Sequence, residues 1–305
     1  MHHFDLFGVK REPRIINVGV FSDEQKNISG RWNYSCCIMI PTKEFDSFYN
    51  RLSEIRRNMG YHHELKFHSI NSKGVKHEVA KLWLKEIINP ENPVYFKILG
   101  IDTGILKENV FGEGSIRKGK NYASVYNRFY RTSLLGAKYF FHKFDEIHID
   151  RIFHDKEGNL ENSQYFDWHA IYKLKEEQKF KFKAENVSFI DSNHNRVGKY
   201  VKASEIIQAV DILLGSFTHC IHQVSNCKYK DEMADIVFPL LQRMINNPSN
   251  KNSSYGYYRK FDIGFFPREV PKEYEHLDQY LHRDVSILYS IKYNDKCSGG
   301  QAKLF

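Results

Sequence analysis

The sequence has little cysteine, and none of it stands at metal-binding spacing. The 305 residues include five cysteines, an odd number, and contain no C-x-x-C pair. A disulfide framework requires cysteines in pairs, and a zinc ribbon requires closely spaced pairs of ligands. The sequence therefore predicts neither a disulfide-stabilised fold nor a structural zinc module.

Long hydrophobic runs, targeting signals and repeats are also missing. No apolar run approaches the roughly 18 residues that a membrane-spanning helix requires. The first residues, Met1–Asp5, lack the basic and apolar regions of a signal peptide. No internal repeat or low-complexity tract is present. We therefore expect a soluble, cytoplasmic protein that does not bind a membrane.

Hydrophobic and basic residues, by contrast, are plentiful. Hydrophobic residues make up 41% of the chain and aromatic residues 15%, enough to build one large domain or a domain with a sizeable appendage. Lys and Arg total 45 against 37 Asp and Glu, which gives a net charge of +8. This balance favours a polyanionic partner, and nucleic acid is the first candidate, with DNA and RNA not distinguished. A protein partner or a second copy of the chain is the alternative.

Short apolar runs alternate with helical periodicities, which indicates an α/β fold. The runs Ile15–Phe21 and Trp32–Ile40 are predicted to form a hairpin, and Glu146–Asp150 a later strand. Helical spacing predicts helices at His77–Ile88 and Ser204–His222. A loop is predicted at residues 104–120, helices at 164–176, 231–245 and 273–283, and a strand at 285–293.

Four carboxylates stand at places where such folds carry chemistry. Asp23 follows the first strand and Asp150 ends a later one, and open α/β sheets present their sites at strand ends. Glu64 lies in an extended segment and Asp211 on a helix. Acids brought together would repel one another unless a divalent cation neutralised them, and oxygen ligands select Mg²⁺ or Mn²⁺. We predict that these four residues bind the metal and catalyse the reaction; a solvated acidic turn or helix face is the alternative for each.

Three further residues are judged by their position beside these acids. Glu24 and Ser192 are predicted to support the metal ligands. Asp155 competes with Asp150 for the later strand's acid. Because Asp155 opens an Asp-Lys-Glu-Gly sequence typical of a turn, where acidic residues are common, Asp150 is preferred.

Basic and amide side chains are candidates for contacting substrate. Lys66 shares one face of an extended segment with Glu64 and is predicted to stabilise phosphate charge. Gln208 lies one helical turn before Asp211 and is predicted to contact substrate. Three lysines alternate with phenylalanines and would form one face of a strand: Lys179, Lys181 and Lys183. That face is predicted to bind phosphates, with an ordinary solvated sheet face as the alternative.

Five short segments, taken in order, resemble a known family. They are Phe21-Ser22-Asp23-Glu24, Glu64-Leu65-Lys66-Phe67, Asp150-Arg151, Asp191-Ser192 and Gln208–Gly215. Together they resemble the bacterial family called domain of unknown function 3800, which is similar to the RNase H-like superfamily.

The resemblance implies a particular α/β architecture and a site within it. An RNase H-like mixed sheet, flanked by helices, would have three antiparallel strands continued by parallel ones. It would occupy residues 13–222, with a C-terminal α+β extension, residues 223–305, packed on it. The family's acids lie on the first strand, the fourth strand and a late helix, which Asp23, Asp150 and Asp211 would match, with Glu64 as a fourth.

These observations predict a function with one alternative. The predicted function is a divalent-metal-dependent nuclease that cleaves phosphodiester bonds by a two-metal mechanism. The alternative is a catalytically inactive RNase H-like protein that binds nucleic acid, or a defence-associated interaction protein.

Overall fold

The computed structural model describes residues 12–30, 32–103, 130–131, 133–134, 136–138, 140–156, 179–246 and 260–266. The predicted loop at 104–120, the predicted helices at 164–176 and 273–283 and the predicted strand at 285–293 lie outside these residues. Among the described residues, no helix is long and apolar enough to cross a membrane.

Strands and helices alternate along the chain. In order, they are β1 (Ile15–Ile28), β2 (Trp32–Pro41), α1 (Phe45–Asn58), α2 (Val75–Ile88), β3 (Tyr95–Asp102), β4 (Glu146–Asp155), β5 (Phe180–Phe182), β6 (Val187–Ile190), α3 (Val201–His222), α4 (Lys228–Asn246) and β7 (Phe261–Phe266). The predicted hairpin is present as β1 and β2. The helices predicted at 77–88, 204–222 and 231–245 are present as α2, α3 and α4, each within a few residues of its expected bounds.

The strands of the described part form one mixed sheet. Its order is β5-β4-β1-β2-β3-β7, and β6 also pairs with β4. Neighbours β1, β2 and β3 are antiparallel, whereas β4 is parallel to β1, β5 and β6 are parallel to β4, and β7 is parallel to β3. The fold is therefore α/β, as predicted, with an antiparallel centre and parallel additions on both sides.

Both faces of this sheet are covered. We call the face that carries Phe21 and Phe153 the front face; it packs against α1, α2, α3 and α4 in the larger core. The back face carries Val20 and Ile152 and packs against helical residues that include Tyr130. Because side chains alternate along a strand, each position on β1 and β4 belongs to one face or the other.

Strands β1 and β4 both run further than the sequence indicated. β1 continues to Ile28, so Asp23 lies inside a strand rather than after it. β4 continues five residues beyond Asp150 to Asp155, where the sequence predicts a turn. Pairing between β1 and β4 persists to Ser22 and His154, and this ladder keeps both segments extended.

The described residues after 222, namely 223–246 and 260–266, join the same sheet and core. α4 contributes Met233 and Leu241 to the front core. β7 adds an edge strand beside β3, where the side chains of Lys97 and Asp262 form a buried ion pair of 2.5 Å. The described part of the C-terminal extension is therefore built into the sheet that carries the site.

Candidate active site

Two aspartates meet on the front face because of the register of β1 and β4. Ser22 pairs with His154, so the next position along the two parallel strands brings Asp23 beside Asp155. Asp23 follows Phe21 by two residues, and Asp155 follows Phe153 by two, which places both acids on the front face. Both are buried, and both line one cleft of about 430 Å³, which we call the acidic cleft.

Helix α3 supplies the third aspartate of the acidic cleft. Between Ala203 and His222, Asp211 is the one residue that is not buried. A solvated helix face was the alternative for Asp211, but the segment that follows α1 covers that face. Between Ala203 and His222, helix α3 is therefore accessible to solvent only at Asp211.

A short turn brings the covering segment against α3. The backbone N–H of Phe67 donates to Oδ2 of Asp211 at 2.6 Å. One helical turn later, a Cβ atom on Gly215 would lie 2.2 Å from Cγ of Phe67. Glycine is therefore required there, because no other residue leaves room for the phenyl ring. This contact holds the turn in place at the edge of the acidic cleft.

Glu64 lies at the border of the acidic cleft. Its Oε1 accepts a hydrogen bond from Oγ of Ser192 at 2.7 Å and is 3.4 Å from Nζ of Lys66. Both Ser192 and Lys66 line the cleft. The structure thus brings Ser192 and Lys66 into contact with Glu64, at the cleft that the three aspartates line.

The cleft is strongly unfavourable for ionised Asp23. Burial raises the pKa of the Asp23 carboxyl well above its usual value, and the charges of Asp211, Asp155 and Glu24 raise it further. A hydrogen bond of 2.7 Å from the backbone N–H of Glu24 to Oδ1 acts in the opposite direction. Negatively charged side chains therefore lie close together here, and a bound cation would stabilise their ionised forms.

The oxygen ligands of the acidic cleft suit a hard cation. In the part of the chain that the structure describes, no three or more His, Cys, Asp or Glu side chains are arranged to hold a metal ion. The aspartates that line the cleft nevertheless offer carboxylate oxygen, the ligand that Mg²⁺ and Mn²⁺ prefer, and no thiolate lines it. Burial is the main cause of the raised pKa of Asp23, and such an ion would offset the further contribution from the charges of Asp211, Asp155 and Glu24.

Cations surround the acids. Lys26, Lys66 and Lys230 line the same cleft. Lys26 is 3.3 Å from Glu24, and Nζ of Lys230 donates to the carbonyl oxygen of His68 at 3.1 Å. Of these three lysines, only Lys66 lies in a recognisable sequence motif.

Asp150 is not part of this cluster, so its predicted position beside Asp23 is wrong. It is the extra residue of a β-bulge in β4, between the pairs Val18–Ile149 and Gly19–Arg151. Five residues at about 3.3 Å each separate it from Asp155 by about 16 Å. Asp150 instead accepts a hydrogen bond from Thr42 at 2.7 Å and pairs with Lys183 at 3.5 Å.

Glu24 belongs to the other face of the sheet. Its Oε2 is 3.3 Å from Nε2 of His154, whose ring packs near Tyr130 and Phe189 of the back face. Burial lowers the pKa of His154 to about 4. Glu24 nevertheless also lines the acidic cleft, and it acts on Asp23 through its charge and its backbone N–H while its carboxylate contacts His154.

Gln208 is buried and its hydrogen-bonding capacity is filled. Its Oε1 accepts from Arg56 at 2.8 Å and from the backbone N–H of Leu65 at 2.9 Å. Its Nε2 bonds to the carbonyl of Ser192 at 2.6 Å and to Nδ1 of His194 at 3.1 Å. A primary amide has two donors and two lone pairs, so none remain for substrate. Gln208 joins the two segments that carry Glu64 and Ser192.

Arg56 extends this buried network and was missed. It is 3.4 Å from Glu205 and lies over the ring of Trp83. Burial lowers the pKa of Arg56 and raises that of Glu205. Arg56 follows Phe48 and Leu52 at four-residue spacing, so the periodicity of α1 did contain the signal that it faces the core.

The lysine row lies away from the acidic cleft. β5 pairs with the first half of β4, from Ile147 to Ile149, whereas Asp155 ends that strand. Lys179 donates to the carbonyl of His142 at 3.3 Å, Lys181 bonds Glu146 at 2.8 Å, and Lys183 bonds Asn17 at 2.9 Å. The structure therefore does not bring these three lysines to the three aspartates.

The comparisons with known proteins assign no family. The chain matches no family model and no curated protein.

Proposed function

We propose that this protein is an RNase H-like, divalent-metal-dependent nuclease that cleaves phosphodiester bonds by a two-metal mechanism. The observation that carries the proposal is the convergence of three aspartates, from β1, β4 and α3, on one cleft in which burial and mutual repulsion raise the pKa of Asp23. The metal ligands in this proposal are Asp23, Asp155 and Asp211, with Glu64 as a fourth acid at the border.

The order of the strands supports the RNase H-like part of the proposal. Three antiparallel strands followed by a parallel β4 beside β1 is the arrangement that the resemblance to domain of unknown function 3800 implies. The three aspartates stand on the first strand, the fourth strand and a late helix, with Asp155 taking the place that we had given to Asp150.

The chain's own residues would position both the acids and the phosphate. Ser192 fixes the carboxylate of Glu64, and the N–H of Phe67 fixes that of Asp211. The ammonium group of Lys66 lies at the cleft, where it can offset the charge of a phosphodiester. When bound, Mg²⁺ or Mn²⁺ at such a site activates water and stabilises the leaving oxygen.

The test replaces one acid without changing its shape. Asp155→Asn should reduce cleavage of labelled DNA or RNA, in Mg²⁺ or Mn²⁺, by about a thousandfold or more, because it removes a charge from the metal site. Asp235→Asn, an exposed acid on α4, is the matched control and should cleave like the wild type. Circular dichroism would verify that both variants are folded.

Three outcomes would contradict the proposal. They are equal cleavage by wild type and Asp155→Asn, cleavage that persists in EDTA, and the absence of cleavage of single- and double-stranded DNA and RNA by the wild type. The last result, combined with nucleic-acid binding, would favour the catalytically inactive binding protein instead.

A further inference from the structure

A second cleft, of about 790 Å³, lies on the front face beside the middle of β4. It is bounded by α1, by the middle of β4 and by the beginning of α3. Four cationic side chains line it, and we call it the basic cleft: Arg151, Lys183, Lys199 and Lys202. Two acids, Asp150 and Glu185, also line it, so cations outnumber acids two to one.

Two of the four cations are committed to acids, and two are not. Lys202 bonds to Asp46 at 2.7 Å, and Lys183 is 3.5 Å from Asp150. Arg151 and Lys199 are exposed, and no carboxylate of the described residues lies within ion-pair distance of either. Their charge is therefore available to an anionic ligand, at a concave surface where several cations act together.

Aromatic rings hold two of the lysines in place. Nζ of Lys199 lies 5.0 Å from the ring centre of Tyr200, and Nζ of Lys202 lies 5.4 Å from that of Tyr49. Tyr200 in turn packs edge-on against Phe153 of β4. Cation–π contacts of this kind restrict flexible side chains, so part of the ordering of these lysines precedes any binding.

The basic cleft and the acidic cleft are joined by two rigid elements on one face. Along β4, five residues separate Asp150 from Asp155, which is about 16 Å. Along α3, ten residues separate Val201 from Asp211, which is about 15 Å at 1.5 Å per residue. The two independent measures agree, and a strand of duplex nucleic acid covers this distance with about five nucleotides at 3.4 Å each.

We propose that the basic cleft binds backbone phosphates of the same nucleic-acid strand whose scissile phosphodiester occupies the acidic cleft, about five nucleotides away. The ligand class is thus a nucleic-acid strand longer than the acidic cleft alone could hold. Arg151 and Lys199 supply the contacts, because Lys183 and Lys202 are already paired with Asp150 and Asp46. This inference rests on the proposed function for the identity of the strand.

The experiment compares two double variants that each remove two positive charges. Arg151→Ala/Lys199→Ala alters the basic cleft, and Lys73→Ala/Lys85→Ala removes two exposed lysines that line neither cleft. Binding of a labelled duplex of about 20 base pairs is measured in EDTA at several salt concentrations. The basic-cleft variant should bind tenfold or more weakly at about 0.1 M salt, and its slope of log K against log salt should fall by about two. The control should change far less.

Shorter ligands distinguish a strand from a free nucleotide. A dinucleotide carries a single phosphodiester and cannot occupy both clefts, so the basic-cleft variant should lose far less affinity for it than for the duplex. Binding of a mononucleotide that is lost in the variant, while duplex binding is unchanged, would assign the cleft to a free nucleotide and overturn the inference. Equal weakening of duplex binding by the two double variants, or no duplex binding by the wild type, would also overturn it.

Failure of the nuclease proposal would be recognised separately. If Asp155→Asn leaves cleavage intact while the basic-cleft variant loses duplex affinity, the acidic cleft has been misassigned and the basic cleft stands. If Asp155→Asn abolishes cleavage but the two double variants bind alike, the nuclease stands and the basic cleft does not.

Discussion

At the scale of single residues, the burial of ionisable side chains determines how the stability of this protein depends on pH. Asp23 is held where ionisation is unfavourable, and His154 and His222 are held where protonation is unfavourable. The hydroxyl of Tyr34 bonds to Nε2 of His222 at 2.6 Å, and burial lowers the pKa of His222 to about 4. Neutral His222 can accept from the hydroxyl at Nε2, whereas protonated His222 can only donate to it, so protonation would require this hydrogen bond to run in the opposite direction.

His222 should make the fold sensitive to acid. The unfolded chain takes up a proton near pH 6.5, whereas folded His222 does so only near pH 4. Stability should therefore fall as the pH drops through that window, by at most about 3 kcal/mol from this residue. His222→Gln, which retains an acceptor for Tyr34 and does not titrate, should reduce the slope of unfolding free energy between pH 6.5 and pH 4. Urea unfolding at several pH values measures it, and an unchanged slope would contradict the assignment.

At the scale of single elements, the site depends on how closely the turn at Phe67 approaches α3. Gly215 permits that approach, and the same turn carries Lys66 and the N–H that fixes Asp211. The elements are therefore coupled, since a change in helix α3 must displace the segment that carries Glu64 and Lys66.

Gly215→Ala should damage both the fold and the site. Its new methyl group would meet the phenyl ring of Phe67 at 2.2 Å, and overpacking of this kind costs about 1–3 kcal/mol. Gly264→Ala in β7 is the matched control, because its methyl group would meet Leu99 at an ordinary 3.6 Å. Thermal unfolding should show a clearly larger loss for Gly215→Ala, accompanied by loss of cleavage. Equal losses in the two variants would show that the turn does not constrain α3.

For the whole molecule, the mutual repulsion of the acids links metal binding to stability. A cation that binds the folded protein and not the unfolded chain stabilises it by about 2.7 kcal/mol at a hundredfold excess over its dissociation constant. The three aspartates come from distant parts of the chain, so they are assembled only in the folded state.

Mn²⁺ should therefore raise the melting temperature of the wild type by about 5 °C or more relative to EDTA. Asp211→Asn should lose most of this rise, because it removes one of the converging charges. Asp150→Asn should keep it, since Asp150 lies about 16 Å from Asp155 along β4. Differential scanning fluorimetry measures the shifts. A variant pattern in which Asp150→Asn loses the rise and Asp211→Asn keeps it would restore Asp150 as the metal ligand.

The sequence by itself determined the α/β class, the hairpin of β1 and β2, the positions of helices α2, α3 and α4, and the presence of acids on separate elements. Periodicity and β-branched runs are local signals, and they remain readable without a structure. Asp23, Asp211 and Glu64 were singled out as candidates in this way, because each stands in a short segment with a recognisable pattern.

Only the tertiary structure decided which acid of β4 joins them. The ladder to β1 carries β4 beyond Asp150, and the bulge at that residue turns its side chain elsewhere. Local sequence favoured a turn at Asp155, but a paired neighbouring strand overrode that preference. The same reason explains Gln208 and Glu24: which face of a strand or helix is covered depends on segments that are remote in the sequence.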